Sequence, residues 1–343
     1  MLYYGEKICY NIYVKYKEKR IDSFVGAINA RMEVVMEEMN KTFIFGHKNP
    51  DTDSICSSVV MANLRAKLGE NVEAVRLGEL NKETQFAFKH FNIEPPRLID
   101  KVQPGSDVIM VDHNEFSQSA DGIENANIKM LVDHHRISDF KTKEPVFCFA
   151  EPVGSTGTIL YKLYNMNNVD IDKKTASLML SSIASDTLLF KSPTCTEEDK
   201  RIAKKLEEIA GVDINEYGLE MLKAGTDLSD VEEEDLINLD AKEFNVDGIK
   251  FVIAQINTVS IDDVLKRQEK IEKAMSNKIK EDKLDLFLFT ITDILNGDSE
   301  FIALGDRTDL VDKSYKLEDH KAFAKGVVSR KKQILPMVTK NID

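Results

Sequence analysis

Short apolar runs alternate along this chain with longer stretches in which apolar positions recur every three to four residues. The short runs fall at 42–45, 72–75, 108–111 and 130–132, with the length and β-branched content of strands. Between and after them, helical spacing is read over about 54–68 (closed by Gly69), 154–167, 173–186, 198–210 and 214–224. Strands alternating with helices predict an α/β fold: a mostly parallel sheet with helices on both faces. Ligands of such sheets bind beyond the carboxyl ends of the strands. After the acidic stretch 227–235 the pattern changes to a strand at 249–257, a charged helix at 262–282 and strands at 285–293 and 300–304. That predicts a smaller, mixed α/β domain at the C-terminus.

Three segments follow: an atypical N-terminal extension at 1–38, a first domain at 39–226 and a second at 227–343, with a hinge at 225–229. The extension stands out because five of the nine tyrosines lie between Tyr3 and Tyr16 among Lys15, Lys17, Lys19 and Arg20, and Met39 then opens a segment that reads as an ordinary start. An additional strand and helix packed on the core would read the same way.

Composition narrows the picture. With 343 residues, 42% hydrophobic and 31% charged, the chain has the make-up of a globular protein. A net charge of −13 disfavours nucleic acid as a partner, because that needs a basic face. Cys9, Cys56, Cys148 and Cys195 form no CxxC pair, which fits reduced thiols in a cytoplasmic protein. No apolar run is long enough to span a bilayer, and no signal-peptide pattern is present.

The candidate chemistry sits where the strands end. His47-Lys48-Asn49-Pro50-Asp51-Thr52-Asp53 follows the first run, Asp112-His113-Asn114-Glu115 the third and Asp133-His134-His135 the fourth. Four of the six histidines are in these clusters. Parallel strands would bring all three to one edge of the sheet. Carboxylates gathered there repel one another and need cations. Asp/His donors without thiolate suit manganese, iron, cobalt or magnesium better than structural zinc. Asp51 and Asp53, two apart on a bent loop, can face different metals, and a central Asp112 could bridge them. Two metals roughly 3.5–4 Å apart are the usual device for displacement at phosphorus.

Two further signals are weak alone. Asp186 lies in an apolar and small-residue stretch, where it reads as a helix cap or, beside three metal-type clusters, as another ligand. Ser329-Arg330-Lys331-Lys332-Gln333 reads as solvated surface, or as a phosphate-binding run in which Arg offers a planar fork and Lys a point charge.

Taken together, the segments GHKNPDTDS, VDHNE, VDHHR, ASDTLLFKSPT, LDAKEF and VVSRKKQ resemble the manganese-dependent (family II) inorganic pyrophosphatases of the DHH phosphoesterase superfamily. The resemblance runs in order from Met39 nearly to the C-terminus. It implies hydrolysis of pyrophosphate to two phosphates by in-line attack of a metal-bound hydroxide, at two Mn2+ ions for which Co2+ or Mg2+ can substitute. His47, Asp51 and Asp112 would hold the first ion, and Asp53, Asp112, His134 and Asp186 the second. His135, Lys242, Arg330 and Lys331 would bind the phosphates, with His135 also the proton donor. The resemblance further implies a substrate caught between two domains, and a homodimer paired through the first. The interval from Asp133 to Asp186 is too short for the nucleotide-sensing insertion that some relatives carry.

The main alternative is another DHH phosphoesterase, acting on short oligonucleotides or nucleotide bisphosphates. Such enzymes usually carry a Gly-Gly motif, and this chain has no Gly-Gly pair. A degenerate, non-catalytic relative should have lost ligands, yet every expected one is present. His90 and His320 read as packing or surface, His113 as structural or supporting, 232–235 as a solvated helix start and 266–282 as an exposed face.

Overall fold

The structure, a computed structural model, describes residues 41–342. The expected extension at 1–38 lies outside the described residues. The first half runs β1 (Thr42–Phe45), α1 (Thr52–Lys67), β2 (Val72–Arg76), α2 (Lys82–His90), β3 (Arg97–Leu98), β4 (Asp107–Val111), β5 (Asn127–Asp133) and β6 (Phe147–Ala150). Four helices follow: α3 (Thr156–Met166), α4 (Lys173–Asp186), α5 (Glu197–Ala210) and α6 (Ile214–Gly225).

The six strands pair in parallel, in the order β3-β2-β1-β4-β5-β6. Side chains alternate across the sheet. Ile44, Ile109 and Val132 face a core filled from the α-helices, by Met61, Leu160, Met179, Ile183 and Leu206 among others. Phe43, Phe45, Val108 and Met110 face the other way. There the cover is thinner than the expected second helical layer. Val102, Ala120 and Ile123 come from connections that hold only two single 3-10 turns, Phe116–Gln118 and Ile123–Asn125. The connection between β4 and β5 crosses with these two 3-10 turns in place of an α-helix.

The strand order decides where a ligand can sit. From β1 the chain moves outward to β2 and β3, while β4, β5 and β6 lie on its other side. The carboxyl ends of β1 and β4 therefore diverge, and their loops leave a crevice between them.

The second half comprises α7 (Glu233–Leu236), β7 (Ala241–Val246), β8 (Ile249–Thr258), α8 (Ile261–Leu265), α9 (Gln268–Asp282), β9 (Leu286–Asp293), β10 (Asp298–Leu304), α10 (Asp309–Asp312), β11 (Lys321–Ala324) and α11 (Leu335–Lys340). Its five-stranded sheet runs β11-β10-β9-β8-β7 and is mixed, since only β8 and β9 pair in parallel. Every residue of β9 is buried. Leu286 and Leu288 fill one face, and Phe287, Phe289 and Ile291 the other.

The predicted helix over 262–282 is two helices, broken at Lys266–Arg267. At the break the Arg267 guanidinium is fully engaged. It donates to Leu228 O at 2.8 Å, to Val231 O and to Glu233 Oε1 at 2.9 Å. Glu233, expected in a solvated helix start, is the buried partner of that arginine, its side chain 11% exposed. Lys82, at the start of α2, donates to Asp227 O at 2.8 Å and to the Asp230 carboxylate, so the first half grips the segment that leads into the second. No helix among the described residues is long and apolar enough to cross a membrane.

Candidate metal centre

At the end of β1, Gly46 lets α1 start close to the strand. A Cβ there would lie 1.9 Å from Ser54 Oγ, so only glycine fits. The chain turns through His47 to Asp51, which caps α1: its Oδ1 accepts from Ser54 N at 2.9 Å. Its other oxygen, Oδ2, lies 3.4 Å from His47 Nε2. One carboxylate thus ends a helix and leaves an oxygen over for the crevice. Asp53, in the first turn, is fully buried. Ser57 Oγ reaches its Oδ1 at 2.8 Å, and Thr156 N its Oδ2 at 2.7 Å.

Asp112 follows β4 with φ 60, a left-handed backbone that Asp and Asn tolerate better than most residues. It is 1% exposed. Its Oδ1 accepts from Thr156 Oγ1 at 3.0 Å and lies 3.4 Å from His134 Nε2, and its Oδ2 lies 3.6 Å from His47 Nε2. His134, after β5, donates from Nδ1 to Val153 O at 3.0 Å, which turns Nε2 toward Asp112 and Asp186. Asp186 Oδ2 is 3.2 Å from that nitrogen.

Asp186 is the last residue of α4, where the helix dipole disfavours a carboxylate unless a positive charge compensates it. Beyond it Leu188, Leu189 and Phe190 all take positive φ, a short left-handed turn of the kind that occurs where surrounding structure enforces it.

Two groups of potential ligands emerge, each with its donor atoms within 4.8 Å of one another: His47, Asp51 and Asp112, and Asp53, Asp112, His134 and Asp186. Asp112 belongs to both. A third group, Asp112, His134 and His135, overlaps them. Asp112 Oδ2 and His134 Nε2 are buried without a hydrogen-bond partner. Buried polar atoms are rarely left so, and bound cations would satisfy both.

The electrostatics agree. Burial pushes Asp112 and Asp186 well above the usual carboxylate range, and the Asp53 charge pushes them further, against the pull of His134. Burial pulls His134 down, yet the Asp112 and Asp186 carboxylates facing its Nε2 win and push it up to about 12. Asp51 goes the other way: burial raises it, but His47 holds it below the usual range. Without cations, Asp112, Asp186 and His134 are all shifted toward their protonated forms.

Around these groups lie residues that sequence reasoning did not single out. Asp133 is fully buried and accepts from His135 Nδ1 at 2.9 Å, from His135 N at 3.1 Å and from Asn114 Nδ2 at 2.6 Å. It orients His135 rather than joining a ligand group. Asp199, also fully buried, accepts from Gly154 N, Thr158 Oγ1, Thr196 N and Thr196 Oγ1 at 2.6–2.9 Å, which pins the loop that carries Val153. Thr156 touches Asp53 and Asp112 at once. Asn114 and Asp133 sit inside the clusters already noted and Asp199 closes the Thr196-x-x-Asp199 capping box, whereas nothing in the local sequence marks Thr156. His113 is buried, donates from Nδ1 to Val111 O at 2.9 Å and is pushed by burial to about 4, so it packs as a neutral ring. His90 packs at tilted and edge-on angles among Phe86, Phe91 and Tyr217, and His320 meets Glu272 at 3.3 Å, both away from the centre.

Lys242, Arg330 and Lys331 lie in the second half. Among the described residues, no hydrogen bond or ion pair joins them to the ligand groups. They do lie near one another. Arg330 donates to Asp240 O at 2.5 Å and to Asp240 Oδ1 at 2.8 Å, beside the strand that carries Lys242, while Lys242 and Lys331 are exposed. Arg330–Ile334 forms one π-helical turn, a conformation frequent at functional sites. Gln333 holds it: Oε1 accepts from Val328 N and Ser329 N at 3.0 Å, and Nε2 donates to Gly326 O at 2.8 Å.

A parallel sheet with aspartate–histidine groups at its switch point, followed by a small mixed domain, is the layout of the DHH-type phosphoesterases. Residues 41–183 match the profile described as "DHH family, N-terminal domain", and residues 219–341 match the "DHHA2 domain". Over 304 residues the chain is 55% identical to a protein of Oceanobacillus iheyensis and 56% identical to one of Brevibacillus brevis. Both are named "Probable manganese-dependent inorganic pyrophosphatase". Each alignment covers 88% of this chain, and 99% and 98% of the respective relative. The crystal structure of a Methanococcus jannaschii "putative family II inorganic pyrophosphatase" is similar with TM-score 0.57 and 38% identity, over 88% of this chain and 99% of that one. The chain belongs to the family of manganese-dependent inorganic pyrophosphatases.

Proposed function

We infer that this chain hydrolyses pyrophosphate to two phosphates with the help of two divalent cations, manganese by the name its relatives carry. The observation that carries the reading is Asp112, a buried carboxylate shared by two ligand groups and left with an unpartnered oxygen. We propose His47, Asp51 and Asp112 for one ion, and Asp53, Asp112, His134 and Asp186 for the other; cobalt or magnesium suits the same donors. Bound there, the ions would activate water and neutralise charge developing at phosphorus.

The chain's own groups do the rest. His135 has Nδ1 engaged by Asp133, which leaves Nε2 to meet substrate and pass a proton to the departing phosphate. Lys242, Arg330 and Lys331 would neutralise the phosphate oxygens, with the Arg330 plane fixed beforehand by Asp240. We place the catalytic domain at 39–226 and the substrate-binding domain at 227–343, pivoting at 225–229. Separate hydrophobic cores on either side of the pivot support that division. Closure would bring the basic residues over the ligand groups and exclude water.

We also infer a cytoplasmic homodimer that does not bind nucleic acid. The net charge of −13 favours the last point. The open edge of β6, with Phe147 48% exposed, supports pairing of two copies through the first domain.

The deciding experiment is phosphate release from pyrophosphate in Mn2+ by the purified chain and by Asp112→Ala, with a short oligonucleotide as control substrate. Rapid release that the substitution abolishes is the expected result. Cleavage of the oligonucleotide instead would move the chain to the nuclease branch of the superfamily and remove the role given to Arg330 and Lys331.

A further inference from the structure

Glu83 stands in the first turn of α2, outside every ligand group. At a helix start a glutamate is expected to face solvent and favour the dipole. This one turns inward. A single oxygen, Oε1, accepts from Thr52 Oγ1 at 2.7 Å and from Ser185 Oγ. Thr52 lies between Asp51 and Asp53, and Ser185 immediately precedes Asp186. One carboxylate oxygen thus joins the loop at the start of α1 to the end of α4, two segments more than 130 positions apart in the chain. The neighbouring Thr84, fully buried, adds a second tie, its Oγ1 lying 3.1 Å from that of Thr52.

The placement costs stability. Burial raises the carboxyl of Glu83, and the Asp51 charge adds to the effect. Another acidic group near Asp51 adds to the repulsion there. A residue serving the helix alone would sit better in solvent, so the inward turn calls for another reason. The bridge supplies one, because it fixes the distance between the start of α1, with Asp51 and Asp53, and the helix end carrying Asp186.

We propose that Glu83 is a positioning residue which, through the hydroxyls of Thr52 and Ser185, sets the separation of Asp51 and Asp53 from Asp186 and thereby the spacing of the two cation positions. This rests on the cation reading above. Glu83 touches neither cation nor substrate, and its effect passes through the backbone of two ligand-bearing segments, in the manner of partners that orient metal ligands.

The test is Mn2+ binding to the full chain without substrate, by equilibrium dialysis, for the wild type, Glu83→Ala and Glu83→Gln. The alanine variant is expected to bind manganese about ten- to a hundredfold more weakly. The glutamine variant should stay within a few-fold of wild type, since its amide oxygen can accept from both hydroxyls. Wild-type affinity in Glu83→Ala would overturn the proposal. So would a Glu83→Gln variant as weak as the alanine one, since charge rather than the hydroxyl bridge would then be responsible. If Glu83→Ala does not fold, judged by its circular dichroism, Thr52→Val and Ser185→Ala each remove half of the bridge. Both should weaken binding, and two unchanged affinities would overturn the idea equally. A wild type that binds no manganese would instead sink the cation reading itself.

Discussion

His134 Nδ1 donates to the carbonyl oxygen of Val153 at 3.0 Å, and this bond selects Nε2 as the nitrogen that faces Asp112 and Asp186. The carbonyl is itself held, because the next residue, Gly154, donates its N–H to Asp199 at 2.9 Å. A carboxylate on α5 thereby orients a ring at the end of β5. Asp199→Ala should strand several buried donors and cost on the order of 3 kcal/mol. It should also weaken Mn2+ binding. Thermal melting and equilibrium dialysis of the same variant check both, and a loss of stability with intact affinity would break the link to His134.

Asp112→Asn should separate stability from function. The raised carboxyl of Asp112 means that its contribution to the cation-free fold is present at low pH and lost as pH rises. A neutral side chain of the same shape removes that penalty. Without metal, the variant should melt above wild type at pH 8, by about 2–4 °C for each kcal/mol gained, and the gap should narrow toward pH 5. Adding Mn2+ should raise the wild-type midpoint far more than that of the variant. Identical cation-free melting curves at pH 8 would mean that Asp112 carries no electrostatic strain.

Loading the site should release protons. His134 is pushed up to about 12, so the cation-free cluster holds a proton at neutral pH that a cation must displace, and the raised carboxyls of Asp112 and Asp186 act in the same direction. Affinity for Mn2+ should therefore rise with pH. Calorimetric binding heats should differ between two buffers of unlike ionisation enthalpy. Equal heats would mean the ligands are already deprotonated.

Asp133→Asn should act on turnover rather than on metal. The carboxylate accepts from His135 Nδ1, and an amide can present an N–H there instead, leaving the ring without a fixed tautomer. A fall in kcat of about a hundredfold, within the range for general acid–base residues, is expected with Mn2+ affinity nearly unchanged. A variant with full kcat would remove His135 as the proton donor.

Gln333→Ala probes the other half. Gln333 is tied to Val328, Ser329 and Gly326, so its loss should loosen the turn that presents Arg330 and Lys331. The KM for pyrophosphate should rise several-fold while cation-only binding stays as in wild type. A change in cation binding instead would place the turn's influence at the wrong end of the site.

Much of this was legible in the chain because the clusters follow apolar strands directly. His47, Asp112 and His134 each lie within two residues of a strand end, and parallel pairing does the gathering. The helices read at 173–186 and 198–210 appear as Lys173–Asp186 and Glu197–Ala210, because their caps, Asp172 and Thr196, are written in the sequence. Strands β3, β6, β7 and β11 escape the pattern, and all four lie at sheet edges: Arg97–Leu98 is only two residues long, Phe147–Ala150 only four, and polar residues blur the alternation in Ala241–Val246 and Lys321–Ala324. Thr156, Asp199 and Glu83 were hidden for another reason. Their roles depend on which distant segment each meets in the fold, and no local pattern records that.

The left-handed backbone at Asp112 reaches into evolution. At φ 60 only a few residue types are comfortable, chiefly Gly, Asn and Asp. Of the replacements this position accepts without refolding, Asp112→Asn is the nearest in shape, and it discards the carboxylate shared by both ligand groups. A lineage released from selection for hydrolysis could thus fall silent in one step while its architecture, surface and partners stayed intact. In a related sequence, an asparagine at this position would mark a chain that keeps the backbone and has lost the shared carboxylate.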